Sequence, residues 1–219
     1  MRARPGLFPG LAAALLLGPP FFAQVAHQHH PPATANEYLR VLEDPGRDEW
    51  QRPEEVVNKL GLRPGDNVAD IGSGSGYFTV RLARAVGPTG KVFAVDIDRE
   101  MLAYVVRRAK EEHLGNIYPV QADAHDPRLE PSSVDLIFIC DTLHHISDRA
   151  AYFPLLARAL KPGGRLVNID FQKRELPVGP PLAMKIDQRD MIKEAESGGF
   201  KLSQEFDFLK YQYFLVFTR

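Results

Sequence analysis

The chain has 219 residues, of which 44% are hydrophobic and 25% are charged, as in an ordinary globular protein. Its formal net charge is −1 and no lysine and arginine residues cluster into a basic stripe, so a nucleic-acid partner is not indicated. Cys140 is the only cysteine, which excludes an internal disulfide and a cysteine-based zinc site. The length allows one domain with a sizeable core in addition to a leader.

The first 26 residues differ in composition from the rest of the chain. Arg2 and Arg4 precede an apolar stretch, 7–23, which is short and interrupted by proline and glycine. This pattern is typical of a secretory signal peptide rather than of a membrane-spanning helix. We therefore expect residues 1–26 to be a signal peptide or a membrane leader, which directs the protein to the periplasm or tethers it to a membrane. The alternative is an apolar leader from a misassigned start codon, in which case the protein is cytoplasmic.

Residues 27–36 form a segment rich in histidine and proline. Three histidines in four residues, His27, His29 and His30, are a pattern that can hold a metal ion. The prolines that follow favour the alternative, a solvated linker, and no metal site is predicted.

From Glu37 onwards, predicted helices and strands alternate along the chain. The predicted helices are 37–42, 53–60, 77–86, 99–113, 149–160 and 188–197. The predicted strands are 68–71, 91–95, 116–120, 134–140, 165–169, 201–206 and 211–217, with a sharp turn expected at 161–164. The last two strands are close in sequence, which favours an antiparallel hairpin. Residues 37–219 are thus predicted to form one α/β domain, a doubly wound, mostly parallel seven-stranded sheet with a C-terminal antiparallel hairpin.

A glycine-rich turn follows the first predicted strand of the sheet. Glycines at 72, 74 and 76 let the backbone turn tightly and approach a ligand closely. A dinucleotide-binding fingerprint needs glycine at position 77, where the chain has Tyr77, so a nicotinamide-dependent oxidoreductase is a less favoured alternative. Asp70 lies in the otherwise apolar strand before the turn, where a carboxylate needs a partner.

Acidic residues also follow the next two strands. Asp96 ends the second strand, 20 residues after Gly76, where a carboxylate can accept hydrogen bonds from two ribose hydroxyls. Asp98 is predicted to cap the next helix. Asp123 follows the third strand and is either a ligand-binding residue or a loop residue that satisfies its own turn.

Paired histidines follow the fourth strand, at 144 and 145. One of them can act as a general base near neutral pH, which makes His144 and His145 the candidate catalytic residues. The alternative is that one histidine packs under the next helix while the other binds the backbone. No further cluster of cysteine, histidine or acidic residues completes a metal site around them.

The chain resembles the class I S-adenosylmethionine-dependent methyltransferases, in particular the group that contains the ubiquinone/menaquinone methyltransferases. The resemblance is carried by the glycine turn with its preceding acid, by the acid at 96 and by the run Leu160-Lys161-Pro162-Gly163-Gly164. The resemblance implies a Rossmann-like methyltransferase fold with S-adenosylmethionine as the cofactor. It places the residues near position 70 and at 141 at the methionine end, those near 96 at the ribose, and those at 123 and 124 at the adenine. The implied cofactor-binding residues are Asp70, Gly72, Gly74, Gly76, Asp96, Ile97, Asp123, Ala124 and Asp141.

The function implied by this resemblance is methyl transfer to a small-molecule acceptor. Positioning the acceptor in line with the sulfur–methyl bond supplies most of the acceleration in such a displacement. The alternative is a non-catalytic envelope protein that binds the cofactor or a nucleotide without an acceptor site. The oligomeric state is not indicated by the sequence.

Overall fold

The computed structural model describes residues 34–219, so the predicted leader and the histidines at 27–30 lie outside the described residues. The described part contains seven α-helices, seven β-strands and short 3-10 turns at Leu143–His145 and Leu182–Met184. The helices are α1 (Ala35–Leu42), α2 (Arg47–Gln51), α3 (Pro53–Leu60), α4 (Thr79–Val86), α5 (Arg99–Glu111), α6 (Arg149–Ala159) and α7 (Gln188–Ser197). The strands are β1 (Asn67–Ile71), β2 (Lys91–Asp96), β3 (Ile117–Gln121), β4 (Val134–Cys140), β5 (Leu160–Phe171), β6 (Lys201–Phe206) and β7 (Gln212–Thr218).

The seven strands form a single sheet in the order β3-β2-β1-β4-β5-β7-β6. Strands β1 to β5 pair in parallel, whereas β7 is antiparallel to both β5 and β6. The predicted doubly wound sheet with a C-terminal hairpin is confirmed. Because β1 lies between β2 and β4, the chain reverses its direction of winding there, and ligands bind at the carboxyl ends of strands at such a switch point.

Helices cover both faces of the sheet, and this explains the apolar composition of its central strands. On one face, Ile137 of β4 belongs to a buried cluster with Leu156 of α6 and Met191 of α7. On the other face, Phe138 belongs to a cluster with Leu82 of α4. Each strand therefore carries alternate residues into two separate cores.

Aspartates cap three of the helices that follow the strands. The Asp98 carboxylate accepts a hydrogen bond from the amide of Glu100 (2.7 Å), which confirms its predicted role as the cap of α5. Asp148 and Asp187 cap α6 and α7 in the same way.

Three elements differ from the sequence prediction. Helix α2 was not predicted, because five residues with one aromatic side chain give no helical periodicity. Helix α4 begins at Thr79, not at Tyr77, because the loop before it is closed by a hydrogen bond from the Gly76 amide to the Ser73 carbonyl (2.8 Å). The turn predicted at 161–164 lies inside β5, where the pairing with β4 shifts register.

None of the helices between residues 34 and 219 is long and apolar enough to cross a membrane.

Candidate active site

The glycine turn after β1 passes close to the residues that follow β4. Gly72, Gly74 and Gly76 all have positive φ angles, which a residue with a side chain rarely adopts. A Cβ atom at Gly72 would lie 2.1 Å from the hydroxyl oxygen of Thr142, so no side chain fits there. The loop therefore needs glycine for both its conformation and its packing.

Asp96, at the end of β2, fixes the glycine turn by a hydrogen bond to its backbone. Its carboxylate accepts hydrogen bonds from the amides of Gly74 (2.8 Å) and Asp98 (2.9 Å). Burial raises the pKa of Asp96 above its ordinary value, although these two amides oppose the shift. Each carboxylate oxygen still has a lone pair for a further donor. The side chain of Ile97 is 62% exposed next to it, an apolar surface at the mouth of the turn.

Two further carboxylates lie at the ends of the central strands: Asp70 is buried and Asp141 is half-buried. The Asp70 carboxylate accepts a hydrogen bond from the Thr79 hydroxyl (2.6 Å), and burial raises its pKa to about 7. Burial likewise raises the pKa of Asp141 to about 7, and the nearby charge of Asp170 adds to the shift. The side-chain amide of Gln212 donates to Asp141 (2.6 Å). Asp141 has a φ angle of 55°, a conformation that non-glycine residues adopt mainly at functional sites.

The loop after β3 brings Asp123 to the surface. Its carboxylate accepts hydrogen bonds from the amides of His125 and Asp126 (both 2.9 Å) and pairs with Arg128 at 3.3 Å. The Asp123 carboxylate therefore accepts hydrogen bonds from the backbone of its own turn, which is the alternative to ligand binding considered above. Ala124 beside it is exposed. The roles of Asp123 and Ala124 at the adenine stay predictions.

The paired histidines have different surroundings. Nδ1 of His144 lies 2.8 Å from Oδ1 of Asp170, and both side chains are almost completely buried. Burial lowers the pKa of His144, but the hydrogen bond and charge of Asp170, together with Asp141, outweigh it and raise the pKa above its ordinary value. Burial and the charge of His144 lower the pKa of His145. Only His144 has a carboxylate partner that fixes its ring.

Asp170 belongs to a group of buried polar side chains that sequence reasoning missed. Asn168 precedes it by two residues on the same face of β5, and Tyr213 of β7 is its partner in the sheet register. In the described part of the chain, Oδ2 of Asp170, both amide atoms of Asn168 and the Tyr213 hydroxyl are buried without a hydrogen-bond partner. Groups of this kind are usually satisfied by internal water or take part in function.

Comparison with known proteins identifies the domain. Residues 68–164 match the family model described as "Methyltransferase domain". A ubiquinone/menaquinone biosynthesis C-methyltransferase of Vibrio vulnificus is 32% identical over 167 residues, which cover 75% of this chain and 62% of that protein. The homologue of Teredinibacter turnerae is 40% identical over 121 residues, 54% of this chain and 48% of its own. A crystal structure of an S-adenosylmethionine-dependent methyltransferase from Aquifex aeolicus superimposes with a TM-score of 0.79 and 29% identity, covering 84% of this chain and 97% of that one.

The family model and these relatives support a class I S-adenosylmethionine-dependent methyltransferase. The predicted family and the predicted cofactor are thereby confirmed. The chain matches between about half and 62% of the length of the curated relatives.

The residues of this methyltransferase fit its cofactor. The positive φ angles of the three glycines shape the turn, and the absence of a side chain at Gly72 lets Thr142 pack against it. The carboxylate of Asp96 has lone pairs that two ribose hydroxyls could use, while the roles of Asp70 and Asp141 at the ammonium group of the methionine moiety stay predictions. The buried hydroxyl of Ser73 also has no hydrogen-bond partner in the described residues, so the turn retains a free polar group.

Helices α1 and α2 of the methyltransferase lie against this turn. The Leu42 side chain lies 3.0 Å from the position of a Cβ atom at Gly74. Tyr38 of α1 is partly exposed, and partial burial together with the charges of Asp96 and Asp141 raises the pKa of its hydroxyl. The guanidinium carbon of Arg47 lies 4.0 Å from the centre of the Tyr77 ring.

A cavity of about 440 Å³ opens beside His144, on the α7 side of the methyltransferase. Its volume is in the range of small-molecule sites. The lining residues are His144, Arg149, Lys173, Ala183, Met184, Lys185, Ile186, Asp187, Asp190 and Glu194. The loop between β5 and α7 thus forms one wall and the catalytic candidate His144 forms another. Within residues 34–219, no group of three or more metal-ligating side chains comes together.

Proposed function

We propose that this methyltransferase acts on a small molecule that binds in the cavity beside His144. The observation that supports this best is the placement of His144: it lines the cavity and follows β4, next to the glycine turn. The same loop carries Asp141 and the Thr142 side chain that packs against Gly72. A cofactor held by that turn and an acceptor held in that cavity would meet at the end of β4.

The cofactor supplies an electrophilic methyl group when it is bound. The residues proposed to hold it are Asp96 at the ribose and Asp70 and Asp141 at the ammonium group. Because Asp141 is itself held by the Gln212 amide (2.6 Å), its carboxylate is fixed before any ligand binds. Such preorganisation lowers the cost of positioning.

His144 is the proposed general base, and His145 is not. If Asp170 is ionised, Nδ1 of His144 donates to it across 2.8 Å, and the lone pair of Nε2 is left free. Nε2 would then accept the proton that the nucleophilic atom of the acceptor loses on methylation. Asp170 stabilises the resulting imidazolium, so it is a positioning residue for His144.

Two measurements test the function. We expect Asp96→Ala to weaken S-adenosylmethionine binding at least about 10-fold in calorimetry, because two hydrogen bonds to a charged group are lost. The control is Asp98→Ala, which removes only the cap of α5. Equal affinity in Asp96→Ala and the wild type would refute the ribose assignment.

Turnover distinguishes an enzyme from the alternative, a cofactor-binding envelope protein. Release of S-adenosylhomocysteine is measured with a panel of small phenols, amines and quinones, the last because the curated relatives are named for quinone biosynthesis. Acceptor-dependent release supports the proposal. Tight cofactor binding without release from any acceptor supports the binding protein.

The leader supports a further proposal, export or membrane tethering. Fractionation of cells that produce the full chain, with sequencing of its mature N-terminus, tests it. Cleavage near Ala23 or Ala26 in an exported form is the expected result, and an intact N-terminus in the cytoplasm contradicts it.

A further inference from the structure

Lys185 is a buried lysine that the proposed reaction does not use. It follows the 3-10 turn at 182–184 and is only 3% exposed. Its ammonium group donates a hydrogen bond to the carbonyl oxygen of Arg174 (2.8 Å). An ammonium group has three donors, so two remain for another partner. Lysine is rarely buried without a counter-charge.

The acidic residues around the cavity are engaged elsewhere. Glu194 pairs with Arg149, Asp190 pairs with Lys193, and the Asp187 carboxylate accepts the amide of Arg189 at the start of α7. Among the described residues, no carboxylate forms an ion pair with Lys185.

Lys185 forms no ion pair in the described structure, and the exposed Lys173 lines the same cavity, so positively charged side chains line this wall without an ion-pair partner. Burial lowers the pKa of Lys185, while Glu175 acts to raise it and Arg174 to lower it. Glu175 is exposed and makes no ion pair with Lys185 either. An anion in the cavity would supply the counter-charge and the hydrogen-bond acceptors that replace the water lost by the buried ammonium group.

The other cavity walls suit a compact organic body. Ala183, Met184 and Ile186 provide apolar surface on the same loop as Lys185. A volume of about 440 Å³ accommodates a single ring with substituents. His144 and Lys185 both line this space, so a molecule within it can meet both groups.

We propose that the methyl acceptor is a small organic anion whose carboxylate or phosphate group binds Lys185 while its nucleophilic atom faces His144. This inference rests on the proposed function, because it names the substrate class of the same site. Lys185 is thus a specificity residue that selects acidic acceptors over neutral ones of equal size.

Ligand binding tests the proposal without knowledge of the natural acceptor. Calorimetry is performed on the full chain saturated with S-adenosylhomocysteine, with benzoate, benzamide and inorganic phosphate as probes. Benzoate and benzamide have nearly the same shape and differ in charge. We expect the wild type to bind benzoate at least about 10-fold more tightly than benzamide, since a hydrogen bond to a charged group is worth about 1.5–3 kcal/mol. The phosphate titration shows whether the anion site takes phosphate as well as carboxylate.

Variants assign the preference to Lys185. Lys185→Met should remove the preference for benzoate, and Lys185→Arg should retain part of it. Lys201→Met is the matched control, because Lys201 is exposed at the opposite end of the sheet, and it should bind as the wild type does. Lys185→Gln, which keeps a donor for the Arg174 carbonyl but no charge, replaces Lys185→Met if thermal unfolding shows that the latter is not folded.

The outcomes separate this inference from the proposed function. Equal binding of benzoate and benzamide to the wild type, or an unchanged preference in the uncharged variants, overturns the role of Lys185. If S-adenosylhomocysteine binds while either result is obtained, only this inference fails. If S-adenosylhomocysteine does not bind at all, the proposed function fails first.

Discussion

The side chain of His144 differs from that of its neighbour His145 in one decisive contact, the hydrogen bond to Asp170. Burial alone would make both rings poorer proton acceptors, but the carboxylate reverses the effect at His144 only. The charged or titratable groups around His144 are Asp141, His145, Arg149, Asp170, Lys185, Glu194 and Tyr213. Among them, Asp170 makes the one direct contact through a carboxylate.

Asp170→Asn should therefore lower the pKa of His144. Asparagine keeps the size of the side chain but removes the charge that stabilises the imidazolium. A base must be neutral to accept a proton, so methyl transfer in the wild type should decline as the pH falls through the raised pKa of His144. In Asp170→Asn this decline should move to lower pH, and the maximal rate should fall.

Histidine ring resonances, titrated by nuclear magnetic resonance and assigned with His144→Gln, measure this pKa without any acceptor. Asp190→Asn is the control, because its exposed carboxylate lines the same cavity without contacting His144. The same His144 pKa in Asp170→Asn as in the wild type would rule out the positioning role of Asp170.

The sequence predicted that the two histidines lie at the site, but it could not predict that only His144 would contact a buried carboxylate. Nothing in Leu143-His144-His145 tells which ring turns inward, because that depends on a strand 26 residues further along the chain. A signal for Asp170 did exist: Asn168 and Asp170 alternate with apolar residues in a strand that is otherwise buried. Polar residues two apart in such a strand share a face and need partners there.

At the scale of secondary structure, tertiary contacts stabilise α2, whereas its own sequence shows no helical pattern. It has five residues and no apolar repeat, so local periodicity could not predict it. Its buried Gln51 donates to the side-chain oxygen of Gln212 in β7 at 2.8 Å, and Gln212 donates in turn to Asp141 at 2.6 Å. This chain of amides joins two segments 161 residues apart to the end of β4.

Gln51→Leu should weaken cofactor binding although Gln51 lies behind the site. The change removes the donor to Gln212, whose buried oxygen would lack a partner, and the amide that holds Asp141 would lose its fixed orientation. A buried unsatisfied group costs about 1–3 kcal/mol, so the free energy of unfolding should fall by a comparable amount. Chemical denaturation and calorimetry with S-adenosylmethionine measure the two effects.

Gln204→Leu provides the comparison, because Gln204 is exposed on β6. It should change neither quantity appreciably. If Gln51→Leu behaved like Gln204→Leu, the amide chain would have no part in holding Asp141.

In the whole molecule, the two groups of polar residues lie on opposite faces of one sheet. Asp70 and Asp96 alternate with residues of the α6–α7 core and so lie on the face covered by α3, α4 and α5, whereas Asn168 and Asp170 face α6 and α7. The segment after β4 supplies Asp141 to the first group and His144 to the second. The sequence predicted that Asp70, Asp96, Asp141 and His144 gather at the carboxyl ends of the strands, because parallel strands end at the same edge of a sheet. The face each one occupies depends on register, which emerges only in the folded sheet.

This arrangement makes the stability of the protein depend on pH through Asp70. Burial raises its pKa from 3.8 to about 7, so between these values the folded state binds more protons than the unfolded state. The free energy of unfolding contributed by Asp70 therefore decreases as the pH rises from about 4 to about 7, and the loss is complete above the folded pKa. One pKa unit corresponds to about 1.4 kcal/mol, which sets an upper limit of about 4 kcal/mol for the whole shift.

Asp70→Asn isolates this contribution, because asparagine can still accept the hydrogen bond from Thr79 but does not ionise. Relative to the wild type, the variant should gain stability as the pH rises from 4 to 7 in chemical denaturation without cofactor. Glu49→Gln, which neutralises an exposed carboxylate on α2, should show no such trend. A stability difference between Asp70→Asn and the wild type that stays constant over this range would mean that Asp70 is ionised in the fold already at pH 4. Asp70 would then not need to release a proton when the cofactor ammonium group binds, and its ionisation would not make the affinity for S-adenosylmethionine depend on pH.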